Sequence, residues 1–391
     1  MRLLEATAQI VTAVKSDLLV LSTLPPRSIT FCVTMALHRQ YVRAGSTIAF
    51  GWSFRMSRDG SIDLTLLVSM TKKPLAELFR AMYHGKYDYR DFIGEALDSR
   101  YKPLNVGGSK ASRERLVYAP DKTMKIYHSF LNLFLFEYLD VNEQVVFSYR
   151  KGVNVAEAVR KHAHNRHFFQ ADIQDFFPNI DSTMVRAVVE STAVRAPISD
   201  LSDHVDRIVE LVTIDGALPI GFPASPLISN AVLRSFDDLF EGYCAEHGMV
   251  YTRYSDDIIV SSKNRDELTN LTTIIEEMLQ SVGLTQLKLN PEKTKITSVG
   301  RKIKLLGLTI LPNGTVSVDI KLKHQIETML YFYITDNAKF RDFSETDLAK
   351  ATEQLSGYVN YVNTVDPAYL DKLRKKYGVT VIDTLIHQGS K

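Results

Sequence analysis

Three carboxylates carry the chemistry that this sequence could perform. Asp256 and Asp257 interrupt an otherwise largely apolar stretch, Met249-Val-Tyr-Thr-Arg-Tyr-Ser-Asp-Asp-Ile-Ile-Val-Ser262. The β-branched and aromatic residues on either side predict two short buried strands joined by a tight acidic turn. Asp suits such a turn because its short side chain bonds to nearby backbone. Two unit charges about 4 Å apart repel by roughly 4 kcal/mol at an effective dielectric near 20. The pair therefore persists if it is protonated, matched by a cation or bound to a metal. Asp172 stands near the end of a second apolar run, Phe168–Ile173. If the two units pair in one sheet, all three carboxylates meet at one edge. Hard oxygen donors of this kind suit Mg²⁺, which keeps several waters and completes its shell from substrate phosphates. Two such ions roughly 3.5–4 Å apart would activate an attacking hydroxyl and stabilise a leaving pyrophosphate. The competing expectation is a solvated turn with no chemistry.

The chain that must position these groups has 391 residues, enough for a large core and two or three domains. Its 45% hydrophobic and 24% charged residues are those of an ordinary soluble globular protein, and a net charge of +2 selects no partner. Local balance says more. Residues 101–170 hold eleven Lys/Arg against six Asp/Glu, an excess that suits a phosphate backbone or a solvated face. Cys32 and Cys244 form no disulfide framework or zinc spacing, which fits a reducing compartment. Glu5 interrupts the run a signal peptide would need, and no apolar segment reaches about 18 residues. A cytoplasmic protein with no membrane partner is expected.

Residues 1–100 contain apolar runs at Leu18–Leu24 and Ile29–Leu37, an expected strand at Leu64–Ser69 and expected helices at Pro74–Tyr83 and Tyr89–Leu97. They hold no chemical constellation and read as an N-terminal extension. A Gly-Gly loop and the basic cluster Lys110, Arg113 and Arg115 follow. Next come an expected strand at Leu116–Pro120, a helix at Met124–Leu139, a strand at Val145–Tyr149 and a helix at Val155–His164. His162, His164 and His167 lack the i, i+4 spacing of a helical ligand pair and are expected at the surface. Helices are predicted over Ser182–Glu190, residues 203–214, Leu227–Phe240 and Arg265–Val282, with a Gly/Pro-rich loop at Gly216–Pro226. Leu287–Asn290 and Lys304–Ile310 read as strands, the second returning through Pro312-Asn313-Gly314 to Thr315–Val318. The last eighty residues read as helical, with an acidic start at Ser344–Asp347 and an Asp366-Pro367 cap on the final helix.

Five blocks follow one another in order: Ala171-Asp-Ile-Gln-Asp-Phe-Phe-Pro-Asn-Ile180, Leu218-Pro-Ile-Gly-Phe-Pro-Ala-Ser-Pro-Leu-Ile-Ser-Asn230, Tyr254-Ser-Asp-Asp257, Leu289-Asn-Pro-Glu-Lys-Thr294 and Lys304-Leu-Leu-Gly-Leu308. In that order the chain resembles a bacterial reverse transcriptase of the retron and group II intron kind. Ser112-Arg-Glu-Arg-Leu-Val-Tyr-Ala-Pro120 and Phe147-Ser-Tyr-Arg-Lys-Gly152 resemble the family's finger blocks, so the resemblance spans about residues 100–380. It implies that Asp172 and Asp256 are metal ligands, helped by the backbone carbonyl of Ile173, with Asp257 the less direct carboxylate of the turn. By the same resemblance, Asp175 contacts the nucleotide triphosphate, and Phe177 lies under the sugar and excludes a 2′-hydroxyl. Arg113 or Arg115 clamps the triphosphate. Lys293 protonates or neutralises the leaving pyrophosphate. Gly221 lets backbone approach template and base.

The fold implied is a right-hand α+β polymerase. Its parts are an N-terminal extension (1–100), fingers (101–165), a palm with an antiparallel sheet (166–310, with a finger insert at about 181–215) and a helical thumb (311–391). The activity implied is RNA-directed DNA polymerisation from dNTPs with two Mg²⁺, or Mn²⁺ in their place. Ile220 stands where these enzymes usually carry Gln, the retron signatures Asn-Ala-x-x-His and Val-Thr-Gly are absent, and nothing like a maturase, endonuclease or ribonuclease H domain is expected after the thumb-like helices. That pattern is most like the defence-associated (unknown-group) reverse transcriptases. It implies anti-phage defence with a dedicated noncoding RNA as template or scaffold, a DNA product, and an oligomer or a companion protein. Three alternatives stand beside it. One is untemplated or protein-primed DNA synthesis, suggested by Ile220. Another is a non-catalytic RNA-binding protein on a polymerase scaffold, and the last an RNA-dependent RNA polymerase, disfavoured by Phe177.

Overall fold

The acidic turn belongs to a four-stranded antiparallel sheet whose strands come from distant parts of the chain. The computed structural model describes residues 48–56, 62–70, 72–107, 115–300 and 303–388, the first two ranges by backbone only. Lys110, Arg113, Cys32 and the runs Leu18–Leu24 and Ile29–Leu37 lie outside the described residues. Residues 1–71 and 72–391 form two separate units. In the first, strands β1 (Ile48–Met56) and β2 (Ile62–Met70) pair as an antiparallel hairpin.

The second unit opens with α1 (Leu75–Tyr83) and α2 (Tyr89–Gly94), whose Leu75, Phe79 and Phe92 are buried in the main core. A hairpin of β3 (Tyr101–Val106) and β4 (Arg115–Pro120) follows, then α3 (Lys122–Phe134) and α4 (Val155–Lys161). The sheet begins with β5 (His167–Asp172). After it come α5 (Ser182–Ser191), α6 (Val205–Val212), α7 (Ser225–Val232) and α8 (Arg234–Glu246). The hairpin strands β6 (Val250–Tyr254) and β7 (Asp257–Ser262), helix α9 (Leu271–Ser281) and β8 (Lys295–Ser298) complete this part, giving the strand order β6-β7-β5-β8.

Why the central strands read as nearly continuous apolar runs is now evident: both faces of the sheet are covered. Side chains alternate across a pleat. Phe169, Ala171, Ile258 and Val260 enter the main core with the helices of one face. Phe168 and Ile259 enter a second core with Ala156 and Val159 of α4 and with C-terminal residues. That second core contains the small sheet β9 (Ile303–Leu305), β10 (Leu308–Ile310) and β11 (Val316–Val318). It also contains helices α10 (Ile320–Thr335), α11 (Asn337–Ser344), α12 (Leu348–Val365), α13 (Pro367–Tyr377) and α14 (Val379–Gln388). The Asp366 carboxylate accepts from Tyr369 N, as a cap there was expected to do, but it caps α13 and not the final helix; Ser344–Asp347 is no acidic first turn, since Ser344 ends α11 and Asp347 caps α12 by accepting from Lys350 N.

Further expectations are corrected. Val145–Tyr149 is not a strand and meets β6 only through the single bridge Val146–Arg253. Lys304–Ile310 is two strands, because Leu306 (φ 49°) and Gly307 (φ 83°) form a tight turn between β9 and β10. Leu287–Asn290 touches the sheet only through the single bridge Ile173–Leu289, and the ladder partner of β5 falls later, at β8. Here the Asn290 carbonyl turns to accept from Lys293 N and Thr294 N, which bends the chain before a strand can extend. Leu227–Phe240 breaks at Leu233 into α7 and α8, because the Asn230 carbonyl, which an unbroken helix would offer to residue 234, accepts from Arg253 Nη2 at 3.2 Å. His162 is fully buried, not at the surface. Its Nδ1 lies 2.7 Å from Ser261 Oγ and its Nε2 2.7 Å from Thr252 Oγ1, so one ring ties α4 to both hairpin strands. Burial pushes its pKa down to about 3, which keeps it neutral.

Candidate active site

The site is assembled by strand register. Antiparallel pairing sets Asp172, the last residue of β5, opposite Asp257, the first of β7. The Ile173 N–H donates to the Asp256 carbonyl at 3.0 Å, and the Asn290 N–H to the Asp172 carbonyl at 2.7 Å. The end of β5 is therefore pinned on both sides, to the turn and to the 287–290 segment. Ile173 itself is buried in the main core.

Within the hairpin Tyr254 pairs with Asp257, leaving a two-residue loop, Ser255-Asp256. Such loops demand left-handed backbone, and Ser255 adopts it with φ 59°. For a residue other than glycine this costs of order 1–3 kcal/mol. Three groups hold it there. Ser255 N donates to Ser148 Oγ at 2.8 Å, Arg253 Nη1 donates to the Ser255 carbonyl at 3.0 Å, and the Tyr149 hydroxyl donates to Ser255 Oγ at 3.1 Å.

The carboxylates repel as their spacing predicted. Burial, with help from the neighbouring Asp172 carboxyl, pushes the Asp256 pKa up, and the two groups are close enough to hydrogen-bond when one is protonated. Burial followed by the Asp256 charge pushes Asp257 up to about 6. Lys293 answers this cluster most directly, its Nζ 2.7 Å from Asp172 Oδ2 and its side chain half exposed, and the Lys295 charge also acts on Asp257. The donor chemistry fits a divalent ion, since hard oxygens with perturbed acidity converge beside a movable ammonium. Among the described residues no group of three or more His, Cys, Asp or Glu encloses an ion by itself. The rest of a shell would come from backbone, water or phosphate.

The other expected residues are distributed as follows. Asp175 is exposed just beyond β5, in left-handed backbone with φ 45°. Phe176 is buried, whereas Phe177 is half-buried with its ring centroid 5.5 Å from that of Phe176. Arg115 is exposed at the start of β4, and Arg113 lies outside the described residues. Gly221 makes a close approach to the β3–β4 hairpin. A Cβ there would stand 2.4 Å from the Tyr118 carbonyl oxygen, and φ is +104°. Next to it the Ile220 carbonyl accepts from Tyr118 N at 2.8 Å.

Sequence reasoning missed what lies beneath the turn. Arg253 is fully buried, and its guanidinium forms a salt bridge with the equally buried Asp237 of α8. The signal was available: an arginine between Thr252 and Tyr254 in an apolar strand needs a buried counter-ion. Ser148 and Asn230, also buried, carried no such signal.

The reverse transcriptase (RNA-dependent DNA polymerase) family profile matches residues 108–310, just over half the chain. The retron Ec73 reverse transcriptase of Escherichia coli is 28% identical over 299 residues, covering 74% of this chain and 91% of that protein. The retron Ec86 enzyme of E. coli is 24% identical, covering 72% and 83%. The retron Mx65 enzyme of Myxococcus xanthus is 23% identical, covering 67% and 61%. A solved structure of apo telomerase from Candida tropicalis aligns over 76% of this chain and 65% of its own at 13% identity, with a TM-score of 0.37, too low to carry an argument. No helix among the described residues is long and apolar enough to cross a membrane. The extent of the family match and the run of retron relatives place this α+β chain in the reverse transcriptase family, as a bacterial, retron-related RNA-directed DNA polymerase.

Proposed function

We propose that the chain extends DNA on an RNA template at the Asp172–Asp256–Asp257 edge, using divalent ions, Mg²⁺ or Mn²⁺, and a noncoding RNA as template or scaffold. The observation that carries this reading is the register of Asp172 against Asp257, with Asp256 beside Asp172. Bound there, two divalent ions would supply Lewis acidity to the attacking 3′-hydroxyl and to the leaving pyrophosphate. Asp172 and Asp256 would hold them, with the Ile173 carbonyl and Asp257 in support. Lys293, already on Asp172, would exchange its carboxylate for the charge of the leaving group. Arg115 or Arg113 would clamp the triphosphate through its fork of donors, and Asp175 would contact the nucleotide. The half-buried Phe177 ring would lie under the sugar and select dNTPs. Gly221 would bring backbone to the template.

The test is Mg²⁺-dependent dNTP incorporation on oligo(dT)-primed poly(rA), and on whatever RNA co-purifies. Asp256→Ala/Asp257→Ala should abolish it; wild-type rates in that variant reject the reading. A second reading, untemplated or protein-primed synthesis, is favoured by the apolar Ile220. Sequencing products made with and without bound RNA separates the two. A role in anti-phage defence, with an oligomer or companion protein, rests on the resemblance to defence-associated enzymes. A host that gains no protection from phage with the wild-type chain would count against it, and protection that survives the Asp256→Ala/Asp257→Ala change would separate any such role from DNA synthesis.

A further inference from the structure

The largest fully buried side chain in the described structure is a charged one, Arg253. All five of its N–H donors are used. Nε donates to Asp237 Oδ1 at 2.8 Å, Nη2 to Asp237 Oδ2 at 2.6 Å and to the Asn230 carbonyl at 3.2 Å, and Nη1 to Asn230 Oδ1 at 3.1 Å and to the Ser255 carbonyl at 3.0 Å. The network continues without a gap. The Tyr251 hydroxyl donates to Asp237 Oδ1 at 2.7 Å, Asn230 Nδ2 to the Ser148 carbonyl at 2.8 Å, and Ser148 Oγ to Asn230 Oδ1 at 3.1 Å. Ser148 Oγ then accepts the Ser255 N–H.

Stability alone does not account for this arrangement. A buried ion pair recovers at best the cost of desolvating its charges, and apolar side chains of like volume often do as well or better. What the pair supplies is direction. A guanidinium fork places its acceptors in one plane at fixed angles. Here it grips the carbonyl of the one residue that must stay left-handed for Asp256 and Asp257 to face Asp172. The same fork takes the Asn230 carbonyl and so breaks the helix between α7 and α8.

We propose that Arg253 is a positioning residue for the polymerase centre: with Asp237, Asn230 and Ser148 it holds Ser255 left-handed, and so sets where the turn carboxylates stand relative to Asp172. This rests on the acidic turn being the catalytic centre. Loosening the network lowers the rate of the chemical step and the affinity for divalent ions, and leaves nucleotide and template binding as they are.

The test uses the full chain and the oligo(dT)-primed poly(rA) substrate. Arg253→Lys keeps the charge and loses the fork. Ser148→Ala removes the hydroxyl that accepts from Ser255 and donates to Asn230, and leaves the Arg253–Asp237 pair in place, so it keeps the test open if Arg253→Lys does not fold. The expected result for Ser148→Ala is a folded protein with kcat down roughly tenfold, KM for dTTP within twofold of wild type, and Mn²⁺ binding weakened severalfold by electron paramagnetic resonance without nucleotide. Wild-type kcat and Mn²⁺ affinity in a folded Ser148→Ala would overturn the proposal. So would a fall in kcat with Mn²⁺ affinity intact. Asp256→Asn, measured alongside, separates the two layers. If it is inactive while Ser148→Ala is unaffected, positioning is wrong and the centre stands. If Asp256→Asn is fully active, the centre itself is wrong.

Discussion

Replacing Asp257 with Asn should stabilise the protein when no divalent ion is present, and the size of the effect follows from the site. Burial and the Asp256 charge push the Asp257 carboxyl from an ordinary 3.8 up to about 6. The folded state thus holds this proton more tightly than the unfolded chain does. At a pH below about 4 both states are protonated and the residue costs nothing. As pH rises through 4 to 6, the unfolded chain ionises first and stability falls; above about 6 the full penalty is present. At about 1.36 kcal/mol per pH unit the gap is worth about 2–3 kcal/mol. Asn keeps the shape and cannot ionise, so that penalty disappears. Thermal melts in chelator at pH 7.5 should place Asp257→Asn a few degrees above wild type, and at pH 4 the two curves should coincide. Millimolar Mg²⁺ should close the difference at pH 7.5, because a cation on the carboxylates stabilises only the wild type strongly. A gap between Asp257→Asn and wild type that does not change with pH, or one that shrinks as pH rises from 4 to 6, would refute the electrostatic account.

Three further outcomes are expected. Gly221→Ala should destabilise by more than about 2 kcal/mol, seen as a lowered Tm, because a Cβ at φ +104° meets the Tyr118 carbonyl oxygen at 2.4 Å; an unchanged Tm would contradict the close approach. His162→Gln should lose roughly 1–3 kcal/mol at pH 8, since Ser261 and Thr252 lose their shared partner. Its stability should also change less between pH 6.5 and 4. The native His162 pKa is depressed to about 3, so wild type loses stability as pH falls below the ordinary value of 6.5; equal acid slopes would refute this. Phe177→Ala should lower the ratio of kcat/KM for dNTP over rNTP, and an unchanged ratio would remove the sugar-gate argument.

The parts of the site that could be read in the sequence are those a short window encodes. The acidic turn was legible because Ser255-Asp256-Asp257 breaks a period of apolar strand residues, and Asp172 because it closes another such run. Their meeting required one assumption, that the two runs pair, and the register of β5 on β7 supplies it. Less legible were features whose cause lies far along the chain. Arg253 reaches a carboxylate 16 residues upstream, and Ser255 a hydroxyl 107 residues upstream. The break at Leu233 follows from that arginine and not from any proline or glycine between Leu227 and Phe240. His162 looked like surface because its spacing to His164 and His167 makes no helical ligand pair, yet two strand hydroxyls hold it inside. The β9–β10 turn was within reach, since Gly307 marked it. Reading Lys304–Ile310 as one strand gave apolar continuity too much weight against a glycine.

The energetic features of the hairpin tip share one direction. Ser255 is held in a backbone conformation that serine disfavours. Asp257 is ionised at neutral pH against its surroundings, and Asp256 is crowded by Asp172. A lysine from the 291–293 turn lies on Asp172 with half its side chain in water. None of these is a solution that packing alone would select, because a protonated or amide side chain at each position would be cheaper. Beneath them the Arg253 network uses every donor it has to keep that geometry from relaxing. The rigid support and the only partly neutralised negative charge make sense together if the tip is built to receive positive charge from outside the chain. For an RNA-directed DNA polymerase, that charge arrives with the divalent ions that accompany an incoming triphosphate.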